Sequence, residues 1–280
     1  MTLPTLIDLV RRSAEYLAGH GIANARREAE WIFAETLGLS RLELYTRFDM
    51  PLEEPEVARL RALVQRRGRR EPLAYVLGTQ DFHSLRLVVG PGALVPRPET
   101  EELVEHALRL APADAPLRVL DLGTGSGAIA LALKQARPAW LVEASDISEA
   151  ALTIARGNGQ RLGLEVRWHQ GHLATALPGP FDLVLANLPY IGEGERDQCD
   201  PELAFEPATA LFSGTDGLDL IRELVADLPR LLAPDGRALL EHGWTQAPAI
   251  RDLAAAHGLG ARTLVDLAGK ERFALLGRHG

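Results

Sequence analysis

A single cysteine, Cys199, stands among the 280 residues. No intrachain disulfide can form, and a reducing compartment, the cytoplasm, is the expected location. The chain lacks a long apolar run at its start. Arg11, Arg12, Glu15 and His20 interrupt Met1–Ile22, so that stretch reads as neither a signal peptide nor a membrane span. An excess of positive charge is missing too. There are 30 Lys and Arg against 38 Asp and Glu, a net charge of −8. That is not the balance of a general nucleic-acid binder, and a basic or neutral macromolecular partner is easier to accommodate. Internal repeats and low-complexity tracts are absent, no metal site is expected, and nothing points to a catalytic role for Cys199. What is present is ordinary for a soluble globular protein: 46% hydrophobic and 24% charged residues. The length suits two domains, at roughly 100–200 residues each.

The pattern changes along the chain. Residues 1–72 show only helical periodicity, with apolar faces at Leu6, Ile7, Leu9, Val10 and Leu17, then at Ala29, Ile32, Phe33 and Leu37. Ser40 and Glu43 have capping-box spacing, and Pro55 sits near the start of a further helix with Val57, Leu60, Leu63 and Val64 on its face. A small helical bundle is the natural solution. Residues 73–96 hold β-type runs, Ala74-Tyr75-Val76-Leu77 and Leu85 to Val89, and read as a hairpin linker. A helix is expected from Glu99. From Leu117 strand-like and helical segments alternate: strands at 117–122, 141–145, 181–186 and 238–241, helices at 128–135, 149–162, 219–232 and 247–257. Two closing strands near 263–265 and 273–276 suggest an antiparallel edge hairpin. Residues 97–280 therefore read as an α/β doubly wound sheet, Rossmann-like in class.

Two loops carry the chemistry. Asp121-Leu122-Gly123-Thr124-Gly125-Ser126-Gly127 ends the first strand of this sheet and runs straight into a helix. Glycines permit a tight turn and close approach of backbone to a ligand, and the helix start offers free N–H groups. Gly123-x-Gly125-x-x-Ala128 also satisfies the dinucleotide fingerprint, and Asp146 lies where a carboxylate would meet ribose hydroxyls. The loop thus implies an adenosine-type cofactor without naming it. Asp121 tilts the choice: a carboxylate there opposes a pyrophosphate and suits a cation, and S-adenosylmethionine carries an ammonium and a sulfonium. The second loop, Asn187-Leu188-Pro189-Tyr190, follows the strand 181–186. The Asn187 carbonyl and the Leu188 backbone carbonyl can each accept one N–H of a planar amino group, and Tyr190 can pack against its flat face. Taken alone, Asn-x-Pro is also an ordinary turn.

Asp-x-Gly-x-Gly-x-Gly resembles the first motif of class I methyltransferases. Asn187-Leu188-Pro189-Tyr190 resembles the Asn-Pro-Pro-Tyr motif of enzymes that methylate adenine, cytosine or glutamine amides, with Leu188 in place of the first proline. Pro96-Arg97-Pro98-Glu99-Thr100-Glu101 is similar to a segment of the release factor glutamine methyltransferases (the PrmC/HemK family). Glu71 to Tyr75, Phe82, Phe205-Glu206-Pro207 and Glu241-His242-Gly243 look like further segments of it.

The resemblance implies N5-methylation of the glutamine in the Gly-Gly-Gln loop of peptide chain release factors 1 and 2, by a monomer, with S-adenosylhomocysteine as product. It implies a helical substrate-recognition domain over 1–72. Cofactor contacts would come from Asp121, Gly123 to Gly127 (Thr124, Gly125 and Ser126 included), Asp146, Ile147 and Asn187. His172 and Leu173 stand where the family often has an acid and an aromatic near adenine. Asn187, Leu188, Pro189 and Tyr190 would hold the glutamine. Three alternatives stay open: methylation of a ribosomal-protein glutamine, N6-methylation of adenine in nucleic acid, and an NAD-binding oxidoreductase or non-catalytic nucleotide-binding module. The basic run Arg66, Arg67, Arg69 and Arg70 reads as a solvated helix end, or more sharply as a contact to an acidic partner.

Overall fold

The computed structural model describes residues 5–111, 115–175 and 177–278. It divides into two compact units: the chain up to Thr79 together with Asp200–Phe205, and the remainder.

The first unit is helical. Helix α1 (Leu6–Gly19) opens on Thr5, whose hydroxyl oxygen accepts from the Asp8 N–H, and α2 (Ala25–Leu37) ends on Gly38 in the left-handed conformation. Helix α3 (Arg41–Thr46) has the capping box expected of Ser40 and Glu43, and α4 (Glu54–Gly68) carries Pro55 in its first turn. Leu6, Leu17, Ile32, Phe33, Leu44 and Leu60 meet in one buried cluster. Ala74-Tyr75-Val76-Leu77, expected as a strand, instead lies in a short helix, α5 (Leu73–Leu77), closed by Gly78. Val76 is buried in the helical cluster and Leu73 and Leu77 pack against it, so tertiary contact overrides the β-type composition. Of the basic run only Arg69 is exposed; the other three arginines are engaged. Arg67 is buried and pairs with Glu28 and Glu202, Arg66 pairs with Glu71, and Arg70 reaches Glu202 and the Gly21 carbonyl.

The second unit begins with a two-stranded sheet, β1 (Thr79–Phe82) and β2 (Leu85–Val88), then α6 (Pro98–Leu110). The main sheet has strands β3 (Arg118–Leu122), β4 (Leu141–Asp146), β5 (Arg167–Gln170), β6 (Phe181–Ala186), β7 (Leu232–Glu241), β8 (Gly260–Val265) and β9 (Glu271–Gly277). Between them run α7 (Ala128–Ala136), α8 (Glu149–Leu162), α9 (Asp219–Leu231) and α10 (Ala247–Ala256). The spatial order is β5-β4-β3-β6-β7-β9-β8. The first five of these pair parallel, while β9 pairs antiparallel with both β7 and β8, which makes the expected edge hairpin. The edge strand β5 escapes a hydrophobic-run search because Arg167-Trp168-His169-Gln170 is polar and only half covered.

The order places the site. From β3 the chain winds outward through β4 to β5, then returns to lay β6 on the other side of β3. The switch point lies between β3 and β6, where ligands of open α/β sheets bind at the carboxyl ends of the strands. Leu122 pairs with Ala186, so Gly123 and Asn187 are the next residues out of the sheet on neighbouring strands. Underneath, Leu120, Phe181 and Val184 pack on Ile221, Leu224 and Leu228 of α9. Among the described residues no helix is long and apolar enough to cross a membrane, and no cluster of His, Cys, Asp and Glu could hold a metal ion.

Candidate cofactor and acceptor crevice

Gly123, Gly125 and Gly127 all have positive φ, at 69°, 57° and 85°, which an L side chain adopts only with strain. The Gly123 and Thr124 N–H groups both donate to the Ser145 carbonyl at the end of β4, at 2.9 and 3.0 Å. A Cβ on Gly123 would stand 3.0 Å from Leu188 Cδ2. Bare backbone is therefore required where the loop faces the acceptor motif.

Asp146 fastens this loop to the next. Its Oδ2 accepts the Gly125 N–H at 2.9 Å and its Oδ1 the Ser148 N–H at 2.8 Å. Each carboxylate oxygen spends one lone pair on the backbone and keeps another for the crevice, which suits a vicinal diol. Gly123, Gly125, Asp146, Ile147, His172, Leu173, Asn187, Leu188 and Pro189 line one crevice. The sequence reading missed part of its wall: Gly92, Ala93 and Leu94 after β2, and Pro207, Thr209 and Ala210 beyond the acceptor loop. These are brought in by Glu206, which is buried, accepts the Val95 N–H at 2.9 Å and pairs with Arg97. Charge in the Pro-Arg-Pro and Phe-Glu-Pro segments was the available signal, but only folding shows that the two meet.

Four expected cofactor residues lie behind this wall. Asp121, Thr124, Ser126 and Gly127 do not line the crevice. Asp121 is fully buried, and its Oδ2 accepts the Thr124 hydroxyl at 2.5 Å and the Ala130 N–H at 3.2 Å. It therefore holds the loop against the first turn of α7, where a helix favours negative charge. Burial pushes its carboxyl up to about 7. Its Oδ1 has no hydrogen-bond partner among the described residues. His172 turns its Nε2 to Glu223, 2.5 Å away, which leaves Nδ1 as its uncommitted ring nitrogen. Leu173 takes a positive φ of 47°, and its carbonyl accepts the Ser145 hydroxyl.

The acceptor motif is supported from below. Asn187 Nδ2 donates to Thr100 Oγ1 at 2.8 Å, and Thr100 Oγ1 donates to Glu241 Oε2 at 2.8 Å. The Tyr190 hydroxyl donates to Glu241 Oε1 at 3.2 Å. Tyr190 thus packs on the core and is not among the residues lining the crevice. Burial pushes the Tyr190 phenol well above its ordinary range and the Glu241 carboxyl up to about 7. Leu188 keeps the backbone carbonyl the motif needs. Its side chain is buried in the same core cluster as Leu120 and Leu122, so packing holds this position where a proline ring would fix φ.

The fit to an adenosine-bearing cation is good on three counts. Two glycines give close backbone approach, Asp146 offers paired acceptors, and the apolar wall of Ile147, Leu173 and Ala93 suits a flat ring.

Comparison with known proteins agrees across both units. The family model of the PrmC N-terminal domain matches residues 8–78, and that of the methyltransferase small domain matches 101–211. The release factor glutamine methyltransferase of Deinococcus radiodurans is 38% identical over 98% of this chain and 99% of its own length. The enzymes of that name from Pseudomonas aeruginosa (45% identical; 90% of this chain, 92% of that one) and Geobacter sulfurreducens (44%; 84% and 83%) are similar over nearly as much. Among solved structures, a methyltransferase from Pyrococcus furiosus superposes with TM-score 0.52 at 19% identity, over 68% of this chain and 86% of that one. A T. thermophilus 16S rRNA methyltransferase solved in complex with AdoMet and guanosine gives 0.52 at 19%, over 71% and 49%. These two support the class I methyltransferase fold. With relatives this similar along nearly its whole length, the chain belongs to the release factor glutamine methyltransferase family.

Proposed function

We propose that this protein transfers a methyl group from S-adenosylmethionine to the N5 amide of the glutamine in the Gly-Gly-Gln loop of peptide chain release factors 1 and 2, acting as a cytoplasmic monomer. The observation that carries the reading is the adjacency of the two loops across the β3–β6 switch. Gly123 and Asn187 leave paired strands side by side, and Gly123, Gly125, Asp146, Asn187, Leu188 and Pro189 share one crevice.

Asp146 takes the ribose hydroxyls on its free lone pairs, and Gly123 and Gly125 admit the donor against bare backbone. When bound, S-adenosylmethionine supplies an electrophilic methyl carbon on a sulfonium, and its carbon–sulfur electron pair stays with sulfur as the new nitrogen–carbon bond forms. Asn187 Oδ1 accepts one amide N–H of the glutamine and the Leu188 carbonyl accepts the other. Two fixed acceptors hold the nitrogen in line and draw electron density onto it; positioning of this kind is the main lever for a reaction of two bound partners. Glu241 is committed to Thr100 and Tyr190, so the amide proton lost on methylation passes to water. The names of the similar enzymes support the substrate.

The test is transfer of labelled methyl from S-adenosylmethionine to a purified release factor, beside a copy with the Gly-Gly-Gln glutamine replaced. Label confined to the intact factor is expected; equal labelling of both refutes the substrate. Asn187→Ala is expected to lower turnover by roughly 100-fold or more, since both positioning and a transition-state hydrogen bond are lost. Its S-adenosylhomocysteine affinity should stay near that of the parent; retained turnover removes Asn187 from this role.

A further inference from the structure

The Pro-Arg-Pro-Glu-Thr-Glu and Glu-His-Gly segments meet beneath the acceptor motif, although neither Thr100 nor Glu241 lines the crevice. Both are buried. The direction of their hydrogen bonds follows from what each group can give. Above about pH 7, where Glu241 is ionised, its carboxylate only accepts, so it takes the Thr100 proton on one oxygen and the Tyr190 proton on the other. A hydroxyl has one proton. Having donated it to Glu241, Thr100 can only accept from its other neighbour, 2.8 Å away, and that neighbour must present N–H. The Asn187 carboxamide is therefore held with its NH2 group toward Thr100, and its oxygen is left for the other side. Asn187 lines the crevice, and among the described residues no group donates to its Oδ1. Without this relay the carboxamide could turn over and present N–H to an amide nitrogen that itself carries N–H, a repulsive pairing.

We infer that Thr100 and Glu241 are positioning residues for methyl transfer: the Glu241–Thr100 relay locks the Asn187 carboxamide oxygen-first toward the acceptor amide. This rests on the reading of Asn187 given above, and it assigns a role to two residues that touch neither donor nor acceptor.

Thr100→Val keeps the shape and removes the hydroxyl; Thr100→Ser keeps the hydroxyl. Each variant is assayed for methylation of a purified release factor, for the KM of S-adenosylmethionine, and for S-adenosylhomocysteine binding by calorimetry. Thr100→Val is expected to lower kcat by roughly 10- to 100-fold, the scale of a misoriented positioning group, while cofactor KM and S-adenosylhomocysteine affinity hold. Thr100→Ser is expected to recover most of that loss. The double variant Thr100→Val with Asn187→Ala should be no slower than Asn187→Ala alone, because the two residues act as one unit. If Thr100→Val yields no folded protein, Thr100→Ala replaces it under the same expectations.

The inference is overturned if the hydroxyl-free variant turns over within about threefold of the parent while Asn187→Ala is inactive, since effects of residues acting as a unit are not separable in that way. It is also overturned if Thr100→Ser is as slow as Thr100→Val, or if cofactor binding falls in step with kcat, because either result means general damage to the crevice. A fully active Asn187→Ala overturns the functional reading itself.

Discussion

Replacing Asp146 by asparagine would separate its two jobs. In the parent, two carboxylate oxygens serve two backbone donors, Gly125 N–H at 2.9 Å and Ser148 N–H at 2.8 Å. Asparagine has one carbonyl for those two donors, and its NH2 group then faces the second N–H. One backbone bond is lost, and leaving a part-buried donor without its partner costs about 1 kcal/mol, the lower end of the range for a buried one. Gly125 sits at a φ of 57° and lines the crevice, so that loss falls on the loop that must already be shaped when the ligand arrives. The same change removes one of two acceptors facing a ribose diol, and a hydrogen bond to a charged group contributes about 1.5–3 kcal/mol. The backbone bond is missing from both free and bound variant and cancels in Kd, so the lost ribose hydrogen bond alone, about 1.5–3 kcal/mol, sets a change of roughly one to two decades at about 1.4 kcal/mol per decade. Titration calorimetry with S-adenosylhomocysteine should therefore show Kd rising roughly 10- to 100-fold. Thermal unfolding of the ligand-free variant should show a smaller loss, reporting the backbone bond alone. A Kd within about threefold of the parent, well under one decade, would refute the argument that Asp146 presents its carboxylate to the ligand.

Two further outcomes follow from buried groups. Glu241 is pushed by burial from an ordinary value of 4.5 up to about 7, so the folded chain holds its proton more tightly than the unfolded chain does. That group's contribution to stability is fully present below pH 4.5 and declines as pH rises through the window to about 7. Relative to Glu241→Gln, which does not titrate, the parent should lose on the order of 3 kcal/mol across that window. Urea unfolding of both proteins at a series of pH values measures the difference, and a difference independent of pH contradicts it. Gly127→Ala places a Cβ at a φ of 85° and within 3.0 Å of Trp168, 3.1 Å of Leu131 and 3.2 Å of Ala155. The backbone cost of roughly 1–2 kcal/mol and an overpacking cost of about 1–3 kcal/mol should lower the denaturant midpoint clearly. An unchanged midpoint would mean that this turn relaxes freely.

Local patterning determined a good deal by itself. The ends of α2 and α8 follow from apolar spacing bounded by Asn24 or Ser148 at the start and by glycine at the close, and β6 is an apolar run between Pro180 and Asn187, because such signals act within a few residues. The glycine loop, Asp146 and Asn187 were legible for the same reason: a tight turn, a strand-end carboxylate and an Asn-x-Pro step leave marks in adjacent residues. Other features depend on partners distant in the chain. The helix at Leu73–Leu77 is decided by packing on the helical core, and β5 forms because β4 offers it a ladder, although its own residues are polar. Arg67 is buried because Glu28 and Glu202 converge on it from other segments. Within the site, only the tertiary structure shows that Asp121 accepts from Thr124 under the loop and that Tyr190 donates to Glu241. It also joined Thr100 to an asparagine 87 residues away. A hydrogen bond between remote segments has no local pattern; it exists only once the sheet order has carried β6 back beside β3 and set β7 next to it.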